Sequence, residues 1–154
     1  MGTVELRSFQ PGDAEAVWKL HNVVLENAGV HGGHGPWEDD LRDVGANYLD
    51  SGGDFLVGLV GCELVGMGGF LRRSPDECEI RRMRVHPDLQ RQGLGRRILQ
   101  ELEARARSLG FQVARLDTTD EQIAARRLYE GAAYREVGRR QTDRFAFIDF
   151  AKRL

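Results

Sequence analysis

One short stretch of the chain combines the residue types that bind a phosphorylated ligand. It runs from Arg84 to Leu99, and its centre reads Gln-Arg-Gln-Gly-Leu-Gly over residues 90–95. A predicted strand precedes the glycines and a predicted helix follows them. Glycine lets the backbone approach a ligand closely, and the first amides of a helix lack partners within that helix. The stretch therefore predicts a site for an anionic, phosphate-bearing ligand.

Two common phosphate-binding patterns do not fit this turn. A Walker motif needs Gly-Lys followed by Ser or Thr four residues after its first glycine, and this sequence has none there. A dinucleotide fingerprint needs a third glycine where Ile98 stands, and it belongs to the first strand of its domain rather than the fourth. The glycines alone are also compatible with a helix start that binds nothing.

Hydrophobic periodicity predicts the elements that position this turn. Strands are expected at residues 3–9, 54–60, 63–71, 78–86, 112–117, 134–141 and 144–152, and helices at 14–28, 37–49, 93–109 and 120–130. The fourth and fifth strands flank a helix, so they should run parallel through a right-handed crossover. The remaining strands should be antiparallel. The order β-α-α-β-β-β-α-β-α-β-β thus predicts an α/β fold, one mixed sheet with helices on both faces, in a single domain over residues 1–154.

Two segments resemble the motifs of a known enzyme family. Residues Met83–Arg97 resemble motif A of the GNAT N-acetyltransferase superfamily, apolar-x-Val-x-Pro-x-x-[Arg/Gln]-x-x-Gly-x-[Gly/Ala]. Residues Leu116–Tyr134 are similar to its motif B, and the predicted element order matches the family along the chain. The resemblance implies a GNAT-like fold of about seven strands, mostly antiparallel, in which parallel strands four and five splay apart at the active site.

The resemblance also implies acetyl-CoA as co-substrate, with no metal. Its pyrophosphate would lie on the amides of Gln92–Arg96, and the side chains of Arg91 and Arg96 would add charge-assisted contacts. Its pantetheine arm would pair with backbone groups of the fourth strand, as an added strand does. The cofactor-binding residues implied are Met83, Arg84, Val85, Gln90, Arg91, Gln92, Gly93, Leu94, Gly95, Arg96, Gln122, Ala125 and Tyr129. Gln122 stands where the family often has Asn.

The reaction implied is attack of a neutral amine on the acetyl thioester by direct transfer in a ternary complex. Tyr129 is the candidate general acid for the leaving thiolate, and a tyrosine that only packs in the core is the alternative. Glu79 is the candidate general base, acting through water. A salt bridge from Glu79 to an arginine of the same strand is its alternative. The amide of Val85 is the candidate oxyanion donor, because the family's fourth strand carries a bulge there.

The N-terminal third forms the acceptor side in this family. His31 and His34 have the spacing of two metal ligands, but the sequence supplies no third ligand. The glycine-rich segment Gly29–Pro36 is better interpreted as a substrate loop. The acidic run after Trp37 would face a cationic or amine-bearing acceptor, or else only begin a helix, where acidic residues are common.

Charge and composition limit the classes of partner. Residues 1–70 hold 3 Lys/Arg against 11 Asp/Glu, and residues 71–154 hold 19 against 13. The arginines are dispersed and aromatics are not interleaved with them, which disfavours nucleic acid. No apolar run is long enough for a bilayer, and the two separated cysteines suit a reducing cytoplasm. An N-acetyltransferase acting on a small amine, amino acid or peptide is expected, with a non-catalytic acyl-CoA-binding module as the alternative. The resemblance allows a homodimer through the terminal hairpin, although no residue requires one.

Overall fold

The structure, a computed structural model, describes residues 3–29 and 33–154. Its strands are β1 (Glu5–Ser8), β2 (Asp54–Val60), β3 (Glu63–Arg72), β4 (Glu77–Val85), β5 (Val113–Thr119), β6 (Arg135–Gln141) and β7 (Ala146–Arg153). Its helices are α1 (Ala14–Asn27), α2 (Asp39–Arg42), α3 (Leu94–Ser108) and α4 (Ile123–Gly131). None of the helices in these ranges is long and apolar enough to cross a membrane.

The seven strands form one mixed sheet in the order β1-β2-β3-β4-β5-β7-β6. The predicted parallel pairing of β4 and β5 is confirmed, and every other neighbouring pair is antiparallel. The crossover helix α3 has a buried apolar stripe that includes Leu94, Ile98 and Leu102. Leu109, the last residue of the helix predicted over residues 93–109, lies just beyond the end of α3 and is exposed.

Each face of the sheet has its own hydrophobic core. Leu56 belongs to the core beneath α3 and α4, whereas its neighbours Phe55 and Val57 belong to the core beneath α1 and α2. This alternation follows from the two-residue period of a strand. The face under α1 and α2 is the one that the sequence assigned to the acceptor.

The prediction of one long second helix from Trp37 to Leu49 is wrong. A 3₁₀ turn, Pro36–Glu38, leads into the single turn of α2, and a π-helical turn follows over Gly45–Leu49. Between them, Asp43 has φ −146° and ψ 77°, which no helix accommodates. Its Oδ1 instead accepts a hydrogen bond from the Ala46 amide at 3.1 Å, so the acid begins a new turn where a helix would have continued.

The strands β4 and β5 separate soon after they begin to pair. Their ladder contains Glu77 with Val113, Cys78 with Ala114 and Glu79 with Arg115, and then ends. Beyond Glu79 the two strands diverge, and a gap opens between them. The splayed geometry that the resemblance implied is therefore present.

The bulge of β4 lies earlier than the sequence analysis placed it. The register against β3 shifts between Met67 and Gly69, which puts the extra residue at Arg82–Met83 and not at Val85. Arg82 has φ +60° there. Val85 itself pairs regularly with Gly66. A bulge bends its strand, so β4 turns away from β5 at the point where the gap opens.

Candidate active site

Backbone groups of β4 line one side of the gap. The amide of His86 donates to the Val65 carbonyl at 2.8 Å, which fixes the alternation of the peptide groups before it. The N–H and C=O of Val85 and the C=O of Met83 consequently point away from β3 and toward β5. The backbone groups of Arg84 point toward β3. Of the three residues expected to pair with a pantetheine arm, only Met83 and Val85 therefore present backbone groups to the gap.

Two side chains of the protein donate hydrogen bonds to these gap-facing carbonyls. Gln90 Nε2 donates to the Val85 carbonyl at 3.0 Å, and Arg84 Nη1 donates to the Met83 carbonyl at 3.0 Å. Both bonds are of the type that an amide of a pantetheine arm would make with a strand edge. The Val85 amide, expected as an oxyanion donor, also faces the gap.

The glycine turn at the end of the gap presents unpaired amides. Arg91 has φ +65° and Gly93 has φ +86°, two left-handed residues immediately before α3. Within α3 the Arg97 amide donates to the Gly93 carbonyl at 3.1 Å, so the amides of residues 94–96 have no partner in the helix. A turn of this kind with a helix behind it attracts an anion.

Some side chains of the turn are exposed to solvent, and others contact the rest of the protein. Arg91 and Gln92 are exposed, and Gln92 Nε2 reaches the Asp88 carbonyl at 3.3 Å. Arg96 Nη2 donates to the Gly131 carbonyl at 3.1 Å and so links α3 to the end of α4. Leu94 is buried in the core, so it contributes its amide to the turn and not its side chain.

A Cβ on Gly95 would lie 3.5 Å from Leu128 and 3.8 Å from Val85. Both distances are ordinary van der Waals contacts. Gly95 thus stands where α3, α4 and β4 converge at the mouth of the gap.

Tyr129 is buried on α4 against Tyr134 and Phe150, with ring centroids 6.1 and 6.2 Å away. Among the described residues, none forms a hydrogen bond with its hydroxyl. Burial raises the pKa of Tyr129 to about 12, although the nearby charge of Arg84 opposes that shift. The phenol therefore keeps its proton at neutral pH, and the charge of Arg84 favours release of that proton.

Glu79 is half-buried at the point where β4 and β5 part. Its Oε2 lies 3.5 Å from Arg81 Nε, so the salt bridge that the sequence offered as an alternative to a catalytic role is present, as a loose pair. Glu79 also borders an open cavity of about 410 Å³ on the α1 and α2 side of the sheet. Charged residues of neighbouring strands line that cavity, including Arg115, Asp117 and Arg140.

Gln122 and Ala125 lie at the start of α4. Gln122 Oε1 accepts hydrogen bonds from the Thr118 hydroxyl at 2.6 Å and the Thr119 amide at 3.3 Å. That oxygen closes the turn between β5 and α4, and the Gln122 residue is exposed. Ala125 is half-buried against the core beneath α3 and α4.

The acidic run after Trp37 consists of Glu38, Asp39 and Asp40. These residues do not present three free carboxylates to an acceptor. Glu38 is 1% exposed; its Oε2 lies 2.7 Å from His21 Nε2 and its Oε1 3.1 Å from His34 Nδ1. Burial lowers the pKa of His21 to about 4, so the imidazole is neutral at pH 7. Asp39 alone keeps an exposed carboxylate.

Asp40 is held by two partners from different elements. Arg82 donates to both of its oxygens, at 2.9 and 2.7 Å, and the Tyr48 hydroxyl donates at 2.5 Å. Arg82 also donates to the Trp37 carbonyl at 2.5 Å. These bonds tie the segment between α1 and β2 to the bulge of β4, and sequence analysis did not anticipate them.

The metal interpretation of the histidine pair gains no support. His31 lies outside the described residues, as do the other two residues of segment 30–32 within the predicted substrate loop. In the part of the chain that the structure describes, no group of three His, Cys, Asp or Glu side chains is arranged to hold an ion.

Comparison with known proteins assigns the chain to a class. The model of the acetyltransferase (GNAT) family matches residues 14–134. The chain therefore belongs to the GNAT acetyltransferase family, which is a family of acyltransferase enzymes.

Particular relatives agree with that membership. The uncharacterized N-acetyltransferase YvbK of Bacillus subtilis (strain 168) is 27% identical over 97 residues, which is 63% of this chain. The chain spans only 62% of that relative's length. A GNAT-family acetyltransferase from Staphylococcus aureus Mu50 superposes with a TM-score of 0.88 at 18% identity, covering 98% of this chain and 99% of that one. YncA from Salmonella typhimurium, solved with its cofactor acetyl-CoA, gives 0.78 at 21%, covering 97% and 93%. These two structures share the fold.

Proposed function

We propose that this protein is an N-acetyltransferase that moves an acetyl group from acetyl-CoA to a primary amine in a ternary complex. The observation that carries the proposal is the gap between β4 and β5. Gap-facing backbone groups of Met83 and Val85 line it, and the turn from Arg91 to Gly93 closes one end. A ligand with a strand-like arm and a phosphorylated end fits both features. The acetyl-CoA bound to the structurally similar YncA supports the same assignment.

The residues at the gap have a defined part in that reaction. Acetyl-CoA supplies the thioester carbon that the acceptor nitrogen attacks, and the C–S bond breaks. The Val85 amide donates to the carbonyl oxygen as negative charge develops on it. The Tyr129 hydroxyl gives its proton to the departing thiolate, and Glu79 receives the proton of the amine through a water molecule.

A direct test measures binding and transfer separately. Calorimetry with CoA and acetyl-CoA should show binding to the purified protein. Thiol release across a panel of amines, amino acids and short peptides should reveal turnover, with mass spectrometry identifying an N-acetylated product. Binding without thiol release on any acceptor would favour the non-catalytic acyl-CoA-binding module, and absence of binding would reject both.

A further inference from the structure

Arg84 is a half-buried cation without a carboxylate partner among the described residues. Its Nε is inaccessible to solvent and has no hydrogen-bond acceptor, and its one hydrogen bond runs from Nη1 to the Met83 carbonyl. No described carboxylate lies within salt-bridge distance of its guanidinium. The other two arginines of this strand segment differ, since Arg81 pairs with Glu79 and Arg82 pairs with Asp40.

The side chain of Arg84 lies on the acceptor side of the sheet. Arg84 pairs directly with Met67 of β3, which belongs to the core beneath α1 and α2, and directly opposed residues project from the same face. Its charge depresses the pKa of His21 on α1 and opposes the rise in the pKa of Tyr129 on α4. The charge of the guanidinium thus acts both on α1 and on the proposed proton donor.

A partly buried cation without a carboxylate partner is costly to the fold. Removing a guanidinium from water disfavours its charged form, and burial lowers the pKa of Arg84 to about 10, so it remains charged at neutral pH. Asp40, whose charge raises the pKa of Arg84, is already bound on both oxygens by Arg82. Such a charge beside a reaction centre is better explained by a ligand than by the stability of the protein.

We propose that Arg84 binds the carboxylate of the acetyl acceptor, so that the substrate is an amino acid or another small amine bearing a carboxylate. Nη1 is engaged with Met83 and Nε is closed to solvent, so Nη2 is the donor open to a ligand. Nη2 offers a charge-assisted hydrogen bond to one oxygen of a carboxylate. The inference rests on the proposed acetyl transfer and adds the class of acceptor to it.

The test compares three versions of one acceptor: an L-amino acid, its amide and its decarboxylated amine. The wild-type protein should acetylate the acid with the highest kcat/KM. Arg84→Met should lower kcat/KM for the acid about 10²-fold and change that for the amine less than threefold. Arg84→Lys, which keeps the charge and loses the planar guanidinium, should fall between them. Arg107→Met removes an exposed charge of α3 and serves as the control.

Two further readouts separate this proposal from a structural role and from the proposed function. The melting temperature of Arg84→Met should stay close to that of the wild type, because Arg84 has no salt bridge among the described residues, and CoA should still bind. A melting temperature well below wild type, a preference for the amine, or intact CoA binding without transfer to any carboxylate-bearing acceptor would overturn the proposal. Loss of CoA binding in the wild-type protein would instead overturn the proposed function.

Discussion

The guanidinium of Arg82 and the carboxylate of Asp40 form a bidentate pair, with N–O distances of 2.9 and 2.7 Å, between residues 42 positions apart in the chain. Arg82 is the left-handed residue of the β4 bulge, so the pair joins the strand that borders the gap to the segment covering the acceptor side. Both side chains are less than one-fifth exposed. The bond therefore fixes the position of α2 over the proposed site.

Replacing Asp40 with Asn should destabilise the protein by about 2 kcal/mol, since it leaves Arg82 with a neutral partner. Urea unfolding at pH 7 measures the loss. Asp39→Asn is the matched control: its carboxylate is exposed and lies 3.6 Å from Arg42, so its effect should stay within about 0.5 kcal/mol. Equal losses in the two variants would contradict the structural importance of the pair.

Substitutions at two tyrosines that contact each other should distinguish an effect on catalysis from an effect on stability. Tyr129→Phe removes a hydroxyl that no described residue binds, so kcat should fall about 10²-fold with little change in melting temperature or CoA affinity. Tyr134→Phe removes a 2.8 Å hydrogen bond to buried Glu103, so stability should fall by about 1–2 kcal/mol. A wild-type rate in Tyr129→Phe would remove that residue as the acid.

The role of Glu79 is distinguishable from that of its neighbour on the same face of β4. Glu79→Gln should lower kcat about 10²-fold with little change in the KM for acetyl-CoA. Glu77→Gln breaks only the partly exposed pair with Arg115 at 3.1 Å and should keep full activity. If Arg81→Gln reduced kcat as much as Glu79→Gln, the salt bridge and not a general base would explain the effect.

The two ends of α3 provide a matched test of the anion site. Gly93 and Gly110 have φ of +86° and +92°, and no atom lies within 4 Å of a Cβ placed on either. Alanine at either position should cost about 1 kcal/mol through left-handed strain. Only Gly93→Ala should weaken CoA binding in calorimetry, because Gly110 lies at the opposite end of the helix. Similar CoA affinities in both variants would place the pyrophosphate elsewhere.

Buried His21 should make stability depend on pH. Its folded pKa of about 4 is below the ordinary value of about 6.5, so between these values the unfolded chain binds a proton that the folded chain does not. The contribution is complete above about pH 6.5 and is lost as pH falls toward 4. Urea midpoints at pH 7.0, 5.5 and 4.5 should decrease in that order. His21→Gln, whose amide can still reach Glu38, should show a shallower decrease over the same range, and an unchanged slope would contradict the assignment.

Local patterns predicted the elements of this fold better than its irregular points. The apolar stripe of α3 and the glycines before it fixed the strand-turn-helix unit, and the crossover rule fixed the parallel pairing of β4 and β5. The break at Asp43 escaped prediction because a single carboxylate accepting the Ala46 amide outweighed helical periodicity. The bulge at Arg82 escaped it because its partner, Asp40, comes from a remote part of the sequence.

The same division applies to the site. The turn residues follow from local sequence, because backbone conformation there is set by glycine and by the helix start. The importance of Arg84, in contrast, depends on which of the neighbouring arginines form ion pairs with acidic residues in the folded protein. Apart from the cofactor-binding role that the resemblance implied, its sequence signal was the cluster of arginines at positions 81, 82 and 84.

The short ladder between β4 and β5 divides the sheet into two groups of strands. One group contains β1 to β4 and the other contains β5, β7 and β6, and only the three residue pairs from Glu77 to Glu79 connect their backbones within the sheet. Arg84 belongs to one group of strands and Tyr129 follows β5 of the other. The distance between these two side chains is therefore set less by strand pairing than by the core beneath α3 and α4, which both groups share.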